Sequence, residues 1–217
     1  MKVLVIDIGG TSVKVLSTGR RTPLKIPSGP RMTPKQMVKL VLDAVAGWDY
    51  SAVSIGYPGP VKNGKPTKDP MHLGRGWVTF DFAKAFGRPV KVINDAAMQA
   101  VGSYKGGRML FLGLGTGLGS TLIVEGVVAP MELAHLPYKK GRTYEEYVGK
   151  EALQRLGKKK WRRAVAEITE RLGAALEADD VVIGGGNAKH LGRLPAGVRS
   201  GGNGRAFAGG YRLWRAS

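Results

Sequence analysis

An apolar strand, a glycine turn and a second strand occur twice in this chain, and that unit restricts the folds open to it. The first copy is Val3-Leu-Val-Ile-Asp7-Ile-Gly-Gly-Thr-Ser-Val-Lys14, with strands predicted at 2–8 and 12–17. Its four leading apolar residues read as a buried strand. After Gly106-Gly107 the pattern restarts. Met109–Leu114 is a strand, Gly115-Thr-Gly-Leu-Gly119 a glycine turn and Ser120–Glu125 the returning strand, followed past Gly126 by Val127–Ala129. The echo points to two related halves, not to a sequence repeat. Glycines at such turns let backbone N–H groups approach an anion with no Cβ in the way. Asp7, Gly9, Gly10, Thr11 and Lys14 together suit a phosphate and its metal, and the alternative is a plain hairpin turn with an exposed Asp.

The remaining elements follow from local signals. A third strand falls near 24–27. Thr33 and Pro34 open a helix as cap and first helical residue, and Met37, Leu40, Val41, Ala44 and Val45 give it helical spacing up to Gly47. Ala52–Tyr57 is a short buried strand ended by Pro58-Gly59-Pro60. Residues 58–79 read as a long loop, and loops of that length are functional or disordered. Asp81–Phe86 is a short helix. Pro89–Ile93 is a strand ending at Asn94-Asp95, and Ala96–Tyr104 a helix for which Asp95 is a candidate cap. Thr143–Leu156 is predicted as one helix stopped by Gly157, and Lys158–Glu177 as a second. The second carries Trp161, Val165, Ile168, Leu172 and Leu176 on one stripe. Val181–Ile183 is a strand from which Gly184-Gly185-Gly186-Asn187 leads into a short helix. From Gly192 onward Gly and Arg dominate, and the near-helical spacing of Phe207, Tyr211 and Trp214 docks the C-terminus.

A hydrophobic fraction of 43% is enough for a real core. Lys+Arg number 34 against 16 Asp+Glu, a net charge of +18. Such an excess suits polyanion partners (nucleic acid, polyphosphate, anionic membrane, phosphorylated metabolites) or a basic solvated surface. It is uneven: residues 139–163 carry ten Lys/Arg against three Glu, and residues 193–217 carry five Arg and no acid. The absence of cysteine excludes disulfides and thiolate zinc sites and fits a reducing cytoplasm. No apolar run approaches the roughly 18 residues that span a bilayer. The first residues read as strand and not as a signal peptide. The expectation is a cytoplasmic protein away from membranes.

Three glycine turns therefore stand in order: Asp7-x-Gly-Gly-Thr11, Gly113-x-Gly-Thr-Gly117 and Gly184-Gly-Gly-Asn187. Asn94-Asp95 lies between the first two, and Glu132-Leu-Ala-His135 follows the second. A carboxylate at a strand end can take a hydroxyl proton, and Asn94 can both donate to and accept from neighbouring hydroxyls. Phosphoryl transfer needs positioning and charge neutralisation more than covalent help, and turn N–H groups supply that without reorganising. This order resembles the ROK-family sugar kinases of the actin-like ATPase superfamily, and within them the polyphosphate glucokinase branch, over residues 2 to about 190.

The resemblance implies an α/β chain with the actin-like ATPase (ribonuclease H-like) fold, two α/β domains around a cleft. The first would span 1–97 plus about 205–217, the second 98–204. It implies that Asp7, Gly9, Gly10, Thr11, Lys14, Gly115, Thr116 and Gly117 hold donor phosphates, and that Gly184, Gly185 and Gly186 approach the adenosine of ATP. It makes Asp95 the general base, and Asn94, Asp95, Glu132 and His135 the sugar ligands. Mg2+ would accompany ATP or polyphosphate, near Asp7. Read without the resemblance, Gly184–Gly186 serves close strand–helix packing and His135 is a packed or surface histidine.

Many members of that family carry a cysteine-rich zinc loop after the Glu-x-x-His segment. Here Tyr138-Lys-Lys-Gly-Arg142 stands in its place, so no zinc is expected, and Glu145 or Glu146 is a candidate for the acidic sugar ligand that loop would bring. The implied partners are a hexose, foremost glucose, with polyphosphate and/or ATP, and a homodimer is in keeping with the family. Polyphosphate could run along the 139–163 segment or the Arg-rich tail. The alternative is a regulatory, sugar-sensing or nucleic-acid-binding protein on the same fold without kinase activity. Family repressors carry a helix-turn-helix before the first phosphate motif, which starts here at residue 3, and the aromatic residues do not interleave with the basic run as a stacking platform would. Specific nucleic-acid binding is therefore not expected.

Overall fold

The computed structural model describes residues 1–202 and 204–215. Asn203, Ala216 and Ser217, which fall in the predicted domain ranges, lie outside the described residues. In chain order the first strands are β1 (Val3–Ile8), β2 (Ser12–Ser17), β3 (Leu24–Pro27), β4 (Ala52–Tyr57), β5 (Val61–Lys62), β6 (Lys65–Pro66) and β7 (Val90–Asn94). They are followed by β8 (Arg108–Leu114), β9 (Leu118–Val124), β10 (Val127–Met131), β11 (Pro137–Lys139), β12 (Arg142–Thr143), β13 (Asp180–Gly184) and β14 (Val198–Ser200). The helices are α1 (Pro34–Ala44), α2 (Phe82–Phe86), α3 (Asp95–Ser103), α4 (Glu145–Val148), α5 (Lys150–Ala175) and α6 (Arg205–Arg212). The chain divides into two compact units, Met1–Met98 with the segment from Ala206, and Gln99–Arg205.

Each unit is built on a five-stranded sheet, ordered β3-β2-β1-β4-β7 in the first and β10-β9-β8-β13-β14 in the second. The pairings match as well: β1 is antiparallel to β2 and parallel to β4, while β8 is antiparallel to β9 and parallel to β13. The echo in the sequence is thus a duplicated topology. β4 is a central strand with parallel neighbours and is buried at all six positions, which is why its sequence runs apolar instead of alternating.

In the first unit, α1 is bounded as its sequence demands. The Gln36 N–H donates to Thr33 Oγ1 at 3.3 Å, the Thr33 N–H donates to Gln36 Oε1 at 2.9 Å, and Pro34 holds the first helical position. Its buried face is Pro34, Met37, Val38 and Val41, continued by Val45. Leu40, predicted for that face, is 42% exposed: it lies about 60° around the helix from Met37, on the edge away from Val38 and Val41 where the buried face is centred.

The loop 58–79 is ordered around a buried Trp77. Its N–H donates to Asp69 Oδ1 at 2.8 Å, and its indole Nε1 donates to Gly74 O at 2.8 Å. Asn63 and Gly64 both take positive φ at the β5–β6 turn, as a two-residue hairpin requires.

The second unit corrects one helix. The predicted Thr143–Leu156 helix is interrupted at Gly149, where the backbone is extended (φ −69°, ψ 175°). A Cβ there would lie 2.8 Å from Thr116 O, and the Lys150 N–H donates to that same oxygen at 3.0 Å. The break is imposed by the packing of this segment on the second glycine turn, which local propensity does not register. Gly157 breaks the helix as expected, with φ +71° inside α5. Beyond it Trp161, Val165, Ile168 and Leu172 are buried on the predicted stripe. The edge strand β14 lies in the Gly/Arg-rich stretch and was not foreseen. Among the described residues no helix is long and apolar enough to cross a membrane.

The C-terminal helix α6 docks on the first sheet through a bare backbone. A side chain at Gly210 would collide with Val5 of β1. The buried Ser54 hydroxyl donates to Gly210 O at 2.7 Å, and the Trp214 indole donates to that hydroxyl at 2.8 Å. Gly210→Val should therefore cost about 1–3 kcal/mol, the usual penalty of overpacking. The urea midpoint should fall with an unchanged m-value, and an unchanged midpoint would show that α6 does not bear on β1 as described.

Candidate functional site

The first glycine turn joins β1 to β2. The Gly9 N–H donates to Ser12 O at 3.1 Å, and the Ser28 hydroxyl donates to Gly9 O at 2.6 Å, which fixes the peptide plane. The Gly10 and Thr11 N–H groups find no protein acceptor among the described residues, so two donors remain for an anion. A Cβ at Gly10 would lie 2.9 Å from the Cβ of His72, so the loop carrying His72 lies on this turn. Sequence reasoning singled out neither Ser28 nor His72, because nothing local marks residues that arrive from distant loops.

Asp7 stands at the end of β1 with its side chain 15% exposed, and Lys14 is its register partner on β2. Lys14 Nζ lies 3.4 Å from Asp7 Oδ2. Burial raises the Asp7 carboxyl above the usual carboxylate range, against the opposing pull of Lys14. The register partner of Asp7 on the other side is Gly56 of β4. A Cβ at Gly56 would strike the Met98 methyl and lie 3.6 Å from the Asp95 Cα. The glycine leaves room for the Met98 side chain of α3 against the sheet, and a lone glycine inside a strand pattern is a legible sign of such an approach.

The cap of α3 falls to Asn94. Its Oδ1 accepts from the Ala97 N–H at 3.1 Å, and its Nδ2 donates to Gly59 O at 3.0 Å. Asp95 is thereby relieved of the capping role the sequence allowed it. The Asp95 carboxylate accepts from the Ala96 N–H at 2.8 Å. Burial first, and then the negative charge of Asp7, push its carboxyl up to about 7, with the Ala96 hydrogen bond and Lys14 opposing. Asn94 keeps a second N–H and a second lone pair for a ligand hydroxyl.

The second glycine turn joins β8 to β9. The Gly115 N–H donates to Gly117 O at 3.0 Å, the Asn187 side chain donates to Gly115 O at 2.7 Å, and Lys150 holds the Thr116 carbonyl. The Thr116 and Gly117 N–H groups are left without a protein acceptor among the described residues. The Leu118 N–H donates to Glu145 Oε2 at 3.2 Å, and any side chain at Gly117 would collide with the Glu145 carboxylate. Glu145 thus lies on this turn. Glu146 accepts from the Thr143 N–H at 2.8 Å and the Thr143 hydroxyl at 3.2 Å, which holds its carboxyl below the usual range and assigns it to capping. Of the two candidates for an additional sugar ligand, only Glu145 lies at a glycine turn.

The third turn follows β13. A Cβ at Gly184 would lie 2.6 Å from the Phe111 ring, and one at Gly185 would collide with the Leu114 carbonyl, so packing accounts for both. Gly186 faces open space and is exposed. Exposed Glu132 precedes and exposed His135 ends one 3-10 turn, Leu133–His135, which is anchored by the buried Ala134. The Ser120 hydroxyl fixes that turn by donating to Met131 O at 2.7 Å and accepting from the Leu133 N–H at 3.3 Å. Among the described residues no group of three His, Asp or Glu side chains is placed to hold a metal on its own. The structure brings Asp7, Lys14, Asn94, Asp95 and the first turn together in one unit. In the other it brings together the second and third turns and Glu145.

No protein-family model matches the chain. A glucokinase of Pyrobaculum calidifontis is 32% identical over 139 residues, 58% of this chain and 45% of that protein. A polyphosphate glucokinase of Mycobacterium tuberculosis is 26% identical over 211 residues, 83% of this chain and 76% of that protein. The chain thus spans less than half of the first relative and about three quarters of the second. Among solved structures, the inorganic polyphosphate/ATP-glucomannokinase from Arthrobacter sp. strain KM aligns over 98% of this chain and 97% of its own, with TM-score 0.83 and 23% identity. A ROK family glucokinase from Streptomyces griseus, solved with glucose and AMPPNP, aligns over 98% and 99% with TM-score 0.73 and 18% identity. The resemblance read from the motifs is borne out: the chain has the actin-like ATPase fold of the ROK-family sugar kinases.

Proposed function

We propose that the chain is a glucokinase-type phosphotransferase that moves a phosphoryl group from polyphosphate and/or ATP to a hexose hydroxyl, with glucose the first acceptor to test. The observation that carries this reading is Asp95, released from capping by Asn94 and carrying a carboxyl pushed up to about 7. A base with a pKa near the working pH is half ionised yet basic enough to draw a proton from a sugar hydroxyl. Asn94, Glu132 and His135 are the proposed sugar ligands with Asp95, and the first two glycine turns the proposed phosphate cradles. Gly186 is the one glycine of the third turn free to approach a nucleotide.

Asp7 suits Mg2+, which takes one or two carboxylates together with phosphate oxygens and water. Bound there, Mg2+ would supply charge neutralisation of the donor phosphates. Lys14, paired with Asp7, supplies a fixed positive charge at the same place. A cytoplasmic location and a homodimer belong to this reading on family resemblance alone.

A coupled assay with a panel of hexoses, run in parallel with ATP and with nucleotide-free polyphosphate, tests the activity. Asp95→Asn keeps the shape and removes the basicity, so turnover should fall roughly 10²–10⁴-fold. Near-normal turnover in a folded variant would exclude the assigned role.

The pH dependence has a definite sign. Protonated Asp95 accepts no proton, so kcat/KM should drop about tenfold per pH unit below the carboxyl pKa and level off above it. With that pKa at about 7 the limb should lie near neutrality, and a profile without a break there would contradict the assignment.

Glu132→Gln removes a charge-assisted hydrogen bond to the sugar, about 1.5–3 kcal/mol. The KM for glucose should rise about tenfold or more while the KM for the donor stays unchanged. A selective effect on the donor would place Glu132 elsewhere.

A further inference from the structure

We propose that an acid-free surface of the second unit, built from the start of α5 beyond Gly157 and the loop after β13, binds the extended part of a linear inorganic polyphosphate. This deepens the kinase reading and rests on it for the word donor, while the binding surface itself is argued separately.

Two stretches of sequence form the surface. Residues 152–166 hold Arg155, Lys158, Lys159, Lys160, Arg162 and Arg163 and no Asp or Glu, and no Asp or Glu occurs after Asp180. The structure clips these stretches together. Arg162 Nε donates to His190 O at 2.7 Å, and its guanidinium lies against Gly192, where a Cβ would be 3.4 Å from a terminal nitrogen. Lys158 and Lys159 precede Arg162 by four and three residues and share its face, so the clip brings the loop that carries Lys189 and Arg193 to this part of the helix. Lys158, Lys159, Lys160, Arg162, Arg163, Lys189 and Arg193 are all exposed, and none has an ion-pair partner among the described residues. Of the described residues, four basic ones elsewhere in the unit are paired, Arg108 with Glu177 among them. Lys139 and Arg171 pair with Glu167, and Arg199 pairs with Asp180. The helix start and the loop thus carry a group of unpaired cations with no acid in either stretch, and such a patch draws an anion by long-range attraction.

Its position points to the ligand. Asn187 ties the start of the loop to the second glycine turn, through its side chain to Gly115 O at 2.7 Å and its N–H to Leu114 O at 2.9 Å. Lys189 follows two residues later, so the basic surface begins where the second proposed phosphate cradle ends. A phosphate chain longer than that of a nucleotide has a continuous run of cations to follow. A nucleic acid would need stacking platforms for its bases. The one aromatic residue of these segments, Trp161, is fully buried.

The test uses the full chain and the triple variant Lys158→Gln, Lys159→Gln, Lys189→Gln. Nucleotide-free polyphosphate of about 100 units is bound in a direct assay across a salt series, and glucose phosphorylation is followed with that polymer and with ATP. Neutralising three phosphate contacts should reduce the slope of log K against log salt by about 2, on the scale known for flexible strands. The KM for long polyphosphate should rise about tenfold or more while the KM for ATP and the ATP-driven kcat stay within twofold. Unchanged polyphosphate affinity and salt slope would overturn the proposal, as would an equal loss with ATP. Single-stranded RNA bound as tightly as polyphosphate through the same lysines would overturn it in favour of a nucleic-acid surface. If no donor phosphorylates any sugar while the triple variant still loses polyphosphate binding, the kinase reading fails and the surface stands.

Discussion

The proximity of the Asp7 and Asp95 carboxyls, on either side of Gly56, is the interaction on which the candidate site depends. Gly56 lies between Asp7 on one strand and Ile93 on the next, and the first turn of α3 rests on its backbone. A side chain there would force the Met98 side chain to shift and would come into contact with the Asp95 Cα. Seated as it is, the partly buried Asp95 loses hydration and feels the charge of Asp7. Both effects disfavour a second negative charge, and together they turn an ordinary carboxyl into one that titrates near neutrality. Lys14 relieves part of that repulsion and keeps the ionised form within reach.

The two sheets share an order and a pairing pattern, yet their glycine turns are supported differently. The first is held by Ser28 and covered by the loop of His72. The second is gripped by Lys150, Asn187 and Glu145, which arrive from two later segments of the chain. In each case backbone N–H groups are left free while the flanking carbonyls are tied down. That is the condition for a preorganised anion cradle. The duplicated frame supplies the turn, and the unit-specific insertions supply its bracing.

Much of this was legible in the sequence. The central strands of both sheets are short apolar runs with clear breakers, Thr33-Pro34 marks its helix start unambiguously, and the stripe from Trp161 to Leu172 has the period of a buried helix face. The order of the glycine turns with Asn94-Asp95 led to the right fold. What was illegible depends on distant partners. The break at Gly149 exists because Thr116 lies against it, 33 residues earlier in the chain. The strand β14 is three residues long and gains its place from β13. The transfer of capping from Asp95 to Asn94 depends on one side-chain rotamer, which the sequence leaves undetermined. The packing roles of Gly184 and Gly185 appear only once Phe111 and Leu114 are in place, leaving Gly186 as the exposed member of that turn.

The proposed chemistry therefore turns on the state of one carboxyl. Carbon-13 NMR of aspartate-labelled, magnesium-free protein, with the Asp95 resonance assigned by Asp95→Asn, would follow its titration directly. The structure predicts a midpoint at about 7, moving down toward the ordinary carboxylate range in Asp7→Asn as the neighbouring charge is removed. A midpoint near 4 in the unmodified protein, or one indifferent to Asp7, would contradict the account.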